Sequence, residues 1–193
     1  VDIKTKYYVV SLPRSGTTSI CKMAKMCGLN SNHAPVGNLK YRSIATSFDF
    51  FSDTPVFCPR EIENICSYDN VFPKFIYIDR CFSEIFDSWK RVNLYKNYKE
   101  MLSTDKHTMN HSKKFDFEAY QNAFNEVELN DENYIEIFQK HKNLITEEIN
   151  KFNKPLLIYN FNEGWEPFCD FLNVSIPEEN IPILNKNKMF DAL

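Results

Sequence analysis

The 193-residue chain reads as an α/β protein, a three-layer αβα sandwich with a mostly parallel sheet and a helical cover. Three observations predict this class. Short apolar runs of strand length recur along the chain, each is followed by residues spaced for an amphipathic helix, and prolines stand just ahead of two of the runs. Hydrophobic residues make up 43% of the sequence, enough to bury a sizeable core, so residues 1–193 are read as one domain.

The first strand is expected at Tyr7-Tyr8-Val9-Val10-Ser11-Leu12, an apolar run suited to a sheet buried on both faces. Pro13-Arg14-Ser15-Gly16 breaks it. A helix follows, because Ile20, Met23, Ala24 and Cys27 repeat at i, i+3, i+4 and i+7, and Gly28 is placed to cap its C-terminus. Phe75-Ile76-Tyr77-Ile78, after Pro73, predicts a second strand ending at Asp79-Arg80. Its helix carries Ile85, Phe86, Trp89 and Val92 on one face. Leu156-Leu157-Ile158-Tyr159, after Pro155, predicts a third strand, with Trp165, Phe168, Cys169, Phe171 and Leu172 on the helix beyond. Between the second and third units lies a long polar stretch, about 96–153, read as a helical insertion covering the site. Its last part is amphipathic from Tyr134 to Phe152, with Asn130 or Asp131 as N-cap, and Phe115–Tyr120 belongs to an earlier helix.

Composition excludes several function classes. A net charge of -3 lacks the basic footprint of a general nucleic-acid binder. No run approaches the 18 or so apolar residues of a membrane span. The N-terminal run is flanked by Lys4 and Lys6 and lacks the form of a secretory signal, although the chain starts at Val1 and a leader trimmed beforehand is compatible with it. The six cysteines form no CxxC pair and no secreted-type framework, which favours a reduced, cytoplasmic protein; an even count leaves disulfides open. Two scarcities remain. The chain has four Gly, and five Arg against 18 Lys, so the place of each is informative.

The strongest signal is Ser11-Leu12-Pro13-Arg14-Ser15-Gly16-Thr17-Thr18-Ser19. A glycine turn from a buried strand into a helix aims backbone N–H groups at one point, where the helix dipole also favours an anion. Hydroxyls at Ser15, Thr17, Thr18 and Ser19 add donors and Arg14 adds a permanent charge. The bland alternative is a hydroxyl-rich helix cap without a ligand. A nucleotide-triphosphatase loop, GxxxxGK[ST], needs a first Gly where Ser11 stands and a Lys where Thr17 stands. Without that lysine the usual contact to the terminal phosphates of ATP is missing, which disfavours a kinase or ATPase.

The arrangement P-[KR]-x-G-T-T at a strand–helix turn resembles the P-loop sulfotransferase family, in its small single-domain branch. The resemblance implies a nucleotide-kinase-like αβα fold, 3′-phosphoadenylyl sulfate (PAPS) as donor with 3′-phosphoadenosine 5′-phosphate (PAP) as product, and no required metal. The family's second signature, an Arg after a later strand and a Ser eight residues on that together grip the 3′-phosphate, is matched by Arg80 and Ser88, with Glu84 at the acidic position between. Cys81-Phe82 replaces the Asn-Pro that often follows that Arg. The segment from Gly164-Trp165-Glu166-Pro167 to Asn185 is similar to the family's closing segment. Ser19 stands where many members place an adenine-stacking aromatic, and Lys186 and Lys188 are the candidates for the basic segment over the 3′-phosphate.

The resemblance implies in-line transfer of a sulfuryl group to a hydroxyl or amine of a small molecule, glycan or lipid. Arg14 and the loop donors would stabilise the leaving phosphate. An acceptor base is also needed, and the family places it between the two phosphate motifs, two residues ahead of a proline. Asp53 in Ser52-Asp53-Thr54-Pro55 shows that offset and is the first choice; His33 in Asn32-His33-Ala34-Pro35 shows it too and is the second. Asp53 is alternatively a turn cap, and His33 a surface or substrate-loop residue. His107 and His111 have zinc-helix spacing, but Thr108 replaces the glutamate of HExxH. A PAP- or PAPS-binding module without turnover stands as the alternative function, with an atypical P-loop kinase behind it.

Overall fold

A computed structural model of the chain describes residues 3–35, 47–53, 55–92, 123–124 and 129–182. In chain order the elements are β1 (Lys4–Val9), α1 (Thr17–Met26), β2 (Ser31–His33), β3 (Phe50–Ser52), α2 (Pro59–Cys66), β4 (Val71–Ile78), α3 (Phe82–Arg91), α4 (Tyr134–Lys151), β5 (Leu156–Tyr159), a 3-10 turn (Phe161–Glu163) and α5 (Glu166–Leu172). The five strands form one sheet in the order β2-β3-β1-β4-β5, and every pairing is parallel.

Side chains alternate across the sheet, and each face has its own helices. Tyr7 and Val9 of β1, Phe50 of β3, Ile76 and Ile78 of β4 and Tyr159 of β5 pack with Ile20, Met23 and Ala24 of α1 and Phe168 and Leu172 of α5. Their strand neighbours Tyr8, Phe51, Phe75 and Tyr77 face the other way, onto Ile62 and Ile65 of α2 and Ile145 and Ile149 of α4. A third cluster joins α3 to α4 around Trp89, Phe86 and Phe138. The result is the three-layer αβα sandwich the sequence predicts.

Local details differ from the sequence reading, each for a physical reason. The strand at Tyr7 begins earlier, at Lys4, because β4 offers it a ladder from Val71 onward. Lys6 is therefore fully buried, with its Nζ donating to the Phe48 carbonyl at 2.6 Å. β4 likewise starts at Val71, so Pro73 lies inside the strand and not at its entrance. β5 pairs with β4 from Phe75 onward, so on that side Pro73 is an edge residue whose missing N–H leaves no ladder bond unmade. β2 and β3 add two strands to the three read from the sequence.

Two helix ends follow the sequence closely. α1 ends in a Schellman motif: Gly28, at φ 82°, donates to the Lys25 carbonyl and Leu29 to that of Ala24. Ahead of α4, the Asn130 side chain accepts the N–H groups of Glu132 and Asn133, so Asn130 caps the approach to a helix that starts at Tyr134. α4 lies along the sheet face beside α2. Of the rest of the polar stretch only residues 123–124 and 129–133 are described; Phe115–Tyr120, His107 and His111 fall outside the described residues.

α4 also carries a buried histidine. His141 is fully enclosed, with its Nε2 donating to the Phe57 carbonyl at 2.8 Å. Its Nδ1 has no partner among the described residues. The rings of Phe57, Tyr77 and Phe124 surround it. Burial pushes the imidazole from its ordinary 6.5 down to about 4.

Candidate functional site

The chain leaves β1 beside β4 and turns sharply into α1. Gly16, the N-cap of α1, takes φ 121°, a backbone state that side-chain-bearing residues rarely adopt. Space imposes the same choice: a Cβ at Gly16 would lie 2.5 Å from Cε2 of Phe161. Arg14 holds φ 71° without being glycine, a strained conformation that its surroundings maintain. The carbonyls of Leu12, Pro13 and Arg14 all accept hydrogen bonds, from the Ser15 N–H, from Nε1 of Trp89 at 2.8 Å and from Nη1 of Arg80 at 2.9 Å. The Ser11 hydroxyl accepts the Ile78 N–H and so ties the turn to the end of β4.

These loop residues open onto a cleft walled by Arg14, Gly16, Thr17, Thr18 and Ser19 on the loop side. Arg80, at the end of β4, joins them with Ser88 and Arg91 of α3, as do His33 of β2 and Asp53 just beyond β3. The parallel sheet explains this convergence, since β1, β3 and β4 all end at the same edge and release their loops there. Nine of the ten residues singled out from the sequence thus share one cleft. Ser15 does not line it: the residue is buried in the turn and its hydroxyl has no partner among the described residues.

Two hydrogen-bonded groups organise the walls. On one side Arg14 Nε donates to Ser88 Oγ at 3.0 Å. Arg80 bonds the Arg14 carbonyl and also pairs through Nε with Glu84 at 2.8 Å, so the acidic position between Arg80 and Ser88 holds the arginine. Arg80 and Ser88 therefore meet through Arg14. On the other side Thr17 Oγ1 donates to Asp53 Oδ2 at 2.9 Å. His33 Nε2 lies 3.1 Å from the same oxygen and 3.1 Å from Thr17 Oγ1, with Thr18 Oγ1 at 3.3 Å. The two candidate bases are thus partners. Asp53, like Arg14, sits at positive φ, 71°.

Three features of the site escape the sequence reading. Arg91 has no motif to mark it, and its signal is its spacing, one helical turn after Ser88. The contact of Phe161 with Gly16 joins residues far apart in the chain. The His33–Asp53 pairing depends on β2 and β3 being neighbours.

The cysteines stand aside from the cleft. All six are free thiols, and burial raises Cys21, Cys27, Cys58, Cys66 and Cys169. Cys81 is exposed beside Arg80 and is lowered by hydrogen bonds from Ser83. Among the described residues no three His, Cys, Asp or Glu side chains gather as a metal site, and no helix is long and apolar enough to cross a membrane.

A family comparison adds to this geometry. The model of the sulfotransferase domain family matches residues 30–190, most of the chain. The chain belongs to the sulfotransferase domain family. The matched segment takes in His33, Asp53, Arg80 and Ser88, and the Ser11–Ser19 loop precedes it. No curated protein matches the chain. As a sulfotransferase domain, the chain is a transferase of the αβα class.

Proposed function

We propose that this sulfotransferase domain takes its sulfuryl group from PAPS and transfers it in line to a hydroxyl or amine on a small-molecule, glycan or lipid acceptor, leaving PAP. One observation carries the reading: a helix N-terminus, three arginines and a His–Asp pair all face a single cleft. The donor set suits a polyanionic nucleotide. The start of α1 and the Thr17, Thr18 and Ser19 hydroxyls fit its 5′ phosphosulfate, while Arg80 and Ser88 fit a second phosphate. The six free thiols support a cytoplasmic setting.

When bound, PAPS supplies an activated sulfuryl group on a phosphate leaving group. Arg14 remains charged at any physiological pH, so it stabilises the charge that grows on the bridging oxygen and donates no proton. The loop N–H groups of α1 add to this without rearranging. His33 accepts the acceptor's proton at Nδ1, the ring nitrogen opposite the one facing Asp53. Asp53 fixes that tautomer and steadies the imidazolium that results. As the acceptor oxygen or nitrogen bonds sulfur, the bond from sulfur to the bridging oxygen breaks and its electron pair leaves with PAP. The proton on His33 then passes to solvent.

Ligand-dependent melting tests the donor reading. A ligand at 100 times its Kd adds about 2.7 kcal/mol of stability. PAP without magnesium is expected to raise Tm clearly and magnesium ATP far less; the reverse order overturns the proposal. Turnover of labelled PAPS against an acceptor panel separates an enzyme from a binding module.

A further inference from the structure

We propose that Cys27 and Cys169 form a redox-modification site, two thiols placed to close into one intramolecular disulfide that ties α1 to α5. The site is independent of the donor reading. The two residues are 142 positions apart in sequence, yet their Sγ atoms lie 3.9 Å from each other. Cys27 is the C-cap of α1 and Cys169 stands inside α5. Both pack on the same side of the sheet, so folding itself makes them neighbours. Cys21 and Cys81 face serine hydroxyls instead, Ser52 at 3.1 Å and Ser83 at 3.0 Å. As plain core residues Cys27 and Cys169 would serve as small hydrophobes; the contact between their sulfurs is what adds chemistry.

The two thiols differ in access, which gives each a role. Cys27 is half-buried and Cys169 fully buried. Beside Cys27, a Cβ added to Gly28 would meet nothing within 4 Å among the described residues, which leaves room for a small reagent. A low-molecular-weight disulfide, oxidised glutathione, serves as the oxidant. The Cys27 thiolate attacks one of its sulfurs, the S–S bond breaks and one glutathione thiolate leaves. The Cys169 thiolate then attacks Sγ of Cys27 and expels the second glutathione. The protein loses two protons and two electrons, and one glutathione disulfide becomes two thiols. The new bond needs about 2.0 Å between the sulfurs, and Cys27, beyond the last turn of its helix, is the one placed to move.

Burial raises the Cys27 thiol to about 12, so its thiolate is scarce at neutral pH and closure is slow, quickening as pH rises. Under a reducing poise both thiols stay free, as they stand in this structure. Once closed, the bridge encloses four of the five strands, β2 to β5. A loop of that length restricts the unfolded chain and stabilises the fold.

The test incubates the folded wild type with oxidised glutathione at about pH 8.5, where more thiol is ionised, then blocks the remaining thiols and maps tryptic peptides without reduction. Lys and Arg separate all six cysteines, so each falls in its own peptide. A cross-linked pair joining the Cys27 and Cys169 peptides is expected, with Tm roughly 5 °C or more above that of the reduced protein and restored by dithiothreitol. Cys27→Ser, at a half-buried helix end, should fold by circular dichroism and lose both the bridge and the rise in Tm. The wild-type map stands without any variant. Recovery of both cysteines as free or glutathione-bearing thiols would overturn the site. So would a bridge that forms only in urea, one that leaves Tm unchanged, or a rise in Tm that persists in Cys27→Ser.

Discussion

Lowering the pH from 7.5 to 4.5 should destabilise the protein through His141. The enclosed imidazole titrates near 4, against an ordinary 6.5 in an unfolded chain. Its folded state is harder to protonate, so below 6.5 the unfolded chain binds the proton first and stability falls as pH falls. The loss is absent above 6.5 and levels off below 4. Its full size is about 3 kcal/mol, with about 2 kcal/mol already gone at pH 5. The cause is visible in the structure. Nε2 already donates to the Phe57 carbonyl, so a second proton at Nδ1 would be a buried charged donor among aromatic rings. Urea titrations across this range should show the wild-type midpoint falling by roughly 1 M by pH 5. His141→Gln cannot titrate there and should be less stable at pH 7.5 while losing this component of the pH slope. A variant with the wild-type slope would refute the assignment.

Four further outcomes follow from the site. His33→Ala and Asp53→Asn should each lower turnover of labelled PAPS by about 10²-fold or more, and the double variant should be little worse than the poorer single one; multiplicative losses would show that the two act separately. Arg14→Ala should cost at least about 10² in turnover, and near-normal turnover would exclude its transition-state role. Gly16→Ala combines a disallowed φ with the Phe161 contact and should cost about 2–4 kcal/mol, read as a fall in Tm of roughly 5–10 °C. Adding Phe161→Ala should restore part of it, and no change in Tm for Gly16→Ala alone would contradict the geometry. With maleimide at neutral pH, Cys81 should label first, because its thiol alone among the six is both exposed and lowered; a fast phase that persists in Cys81→Ser would place the reactive thiol elsewhere.

Much of this architecture is legible in the sequence where an element is long enough to have a period. α1, α3, α4 and α5 each show an apolar face, and β1, β4 and β5 are apolar runs. β2 and β3 are not legible because Ser31-Asn32-His33 and Phe50-Phe51-Ser52 are three residues each, too short to alternate. They are strands because β1 stands ready to pair with Phe50–Ser52 and β3 with Ser31–His33. The same gap hides the His33–Asp53 pair, since two residues with one offset from a proline look like rivals until their strands are adjacent. The Ser11–Ser19 loop is legible because its chemistry is local: one turn holds the glycine, the hydroxyls and the cation. Arg91 and Phe161 reach the site through tertiary packing, which no nearby residue announces.

The capture of the Leu12, Pro13 and Arg14 carbonyls has a consequence for how the cleft meets its ligand. With these oxygens engaged by the Ser15 N–H, Trp89 and Arg80, the turn is fixed by the act of folding. The entropy of shaping it is then lost once, when α3 docks, and not again at each encounter with an anion. Affinity is left to depend on charge and on salt, so selectivity here is a matter of polarity set in advance. A buried indole and a guanidinium that itself lines the cleft thereby hold the loop in the shape it presents.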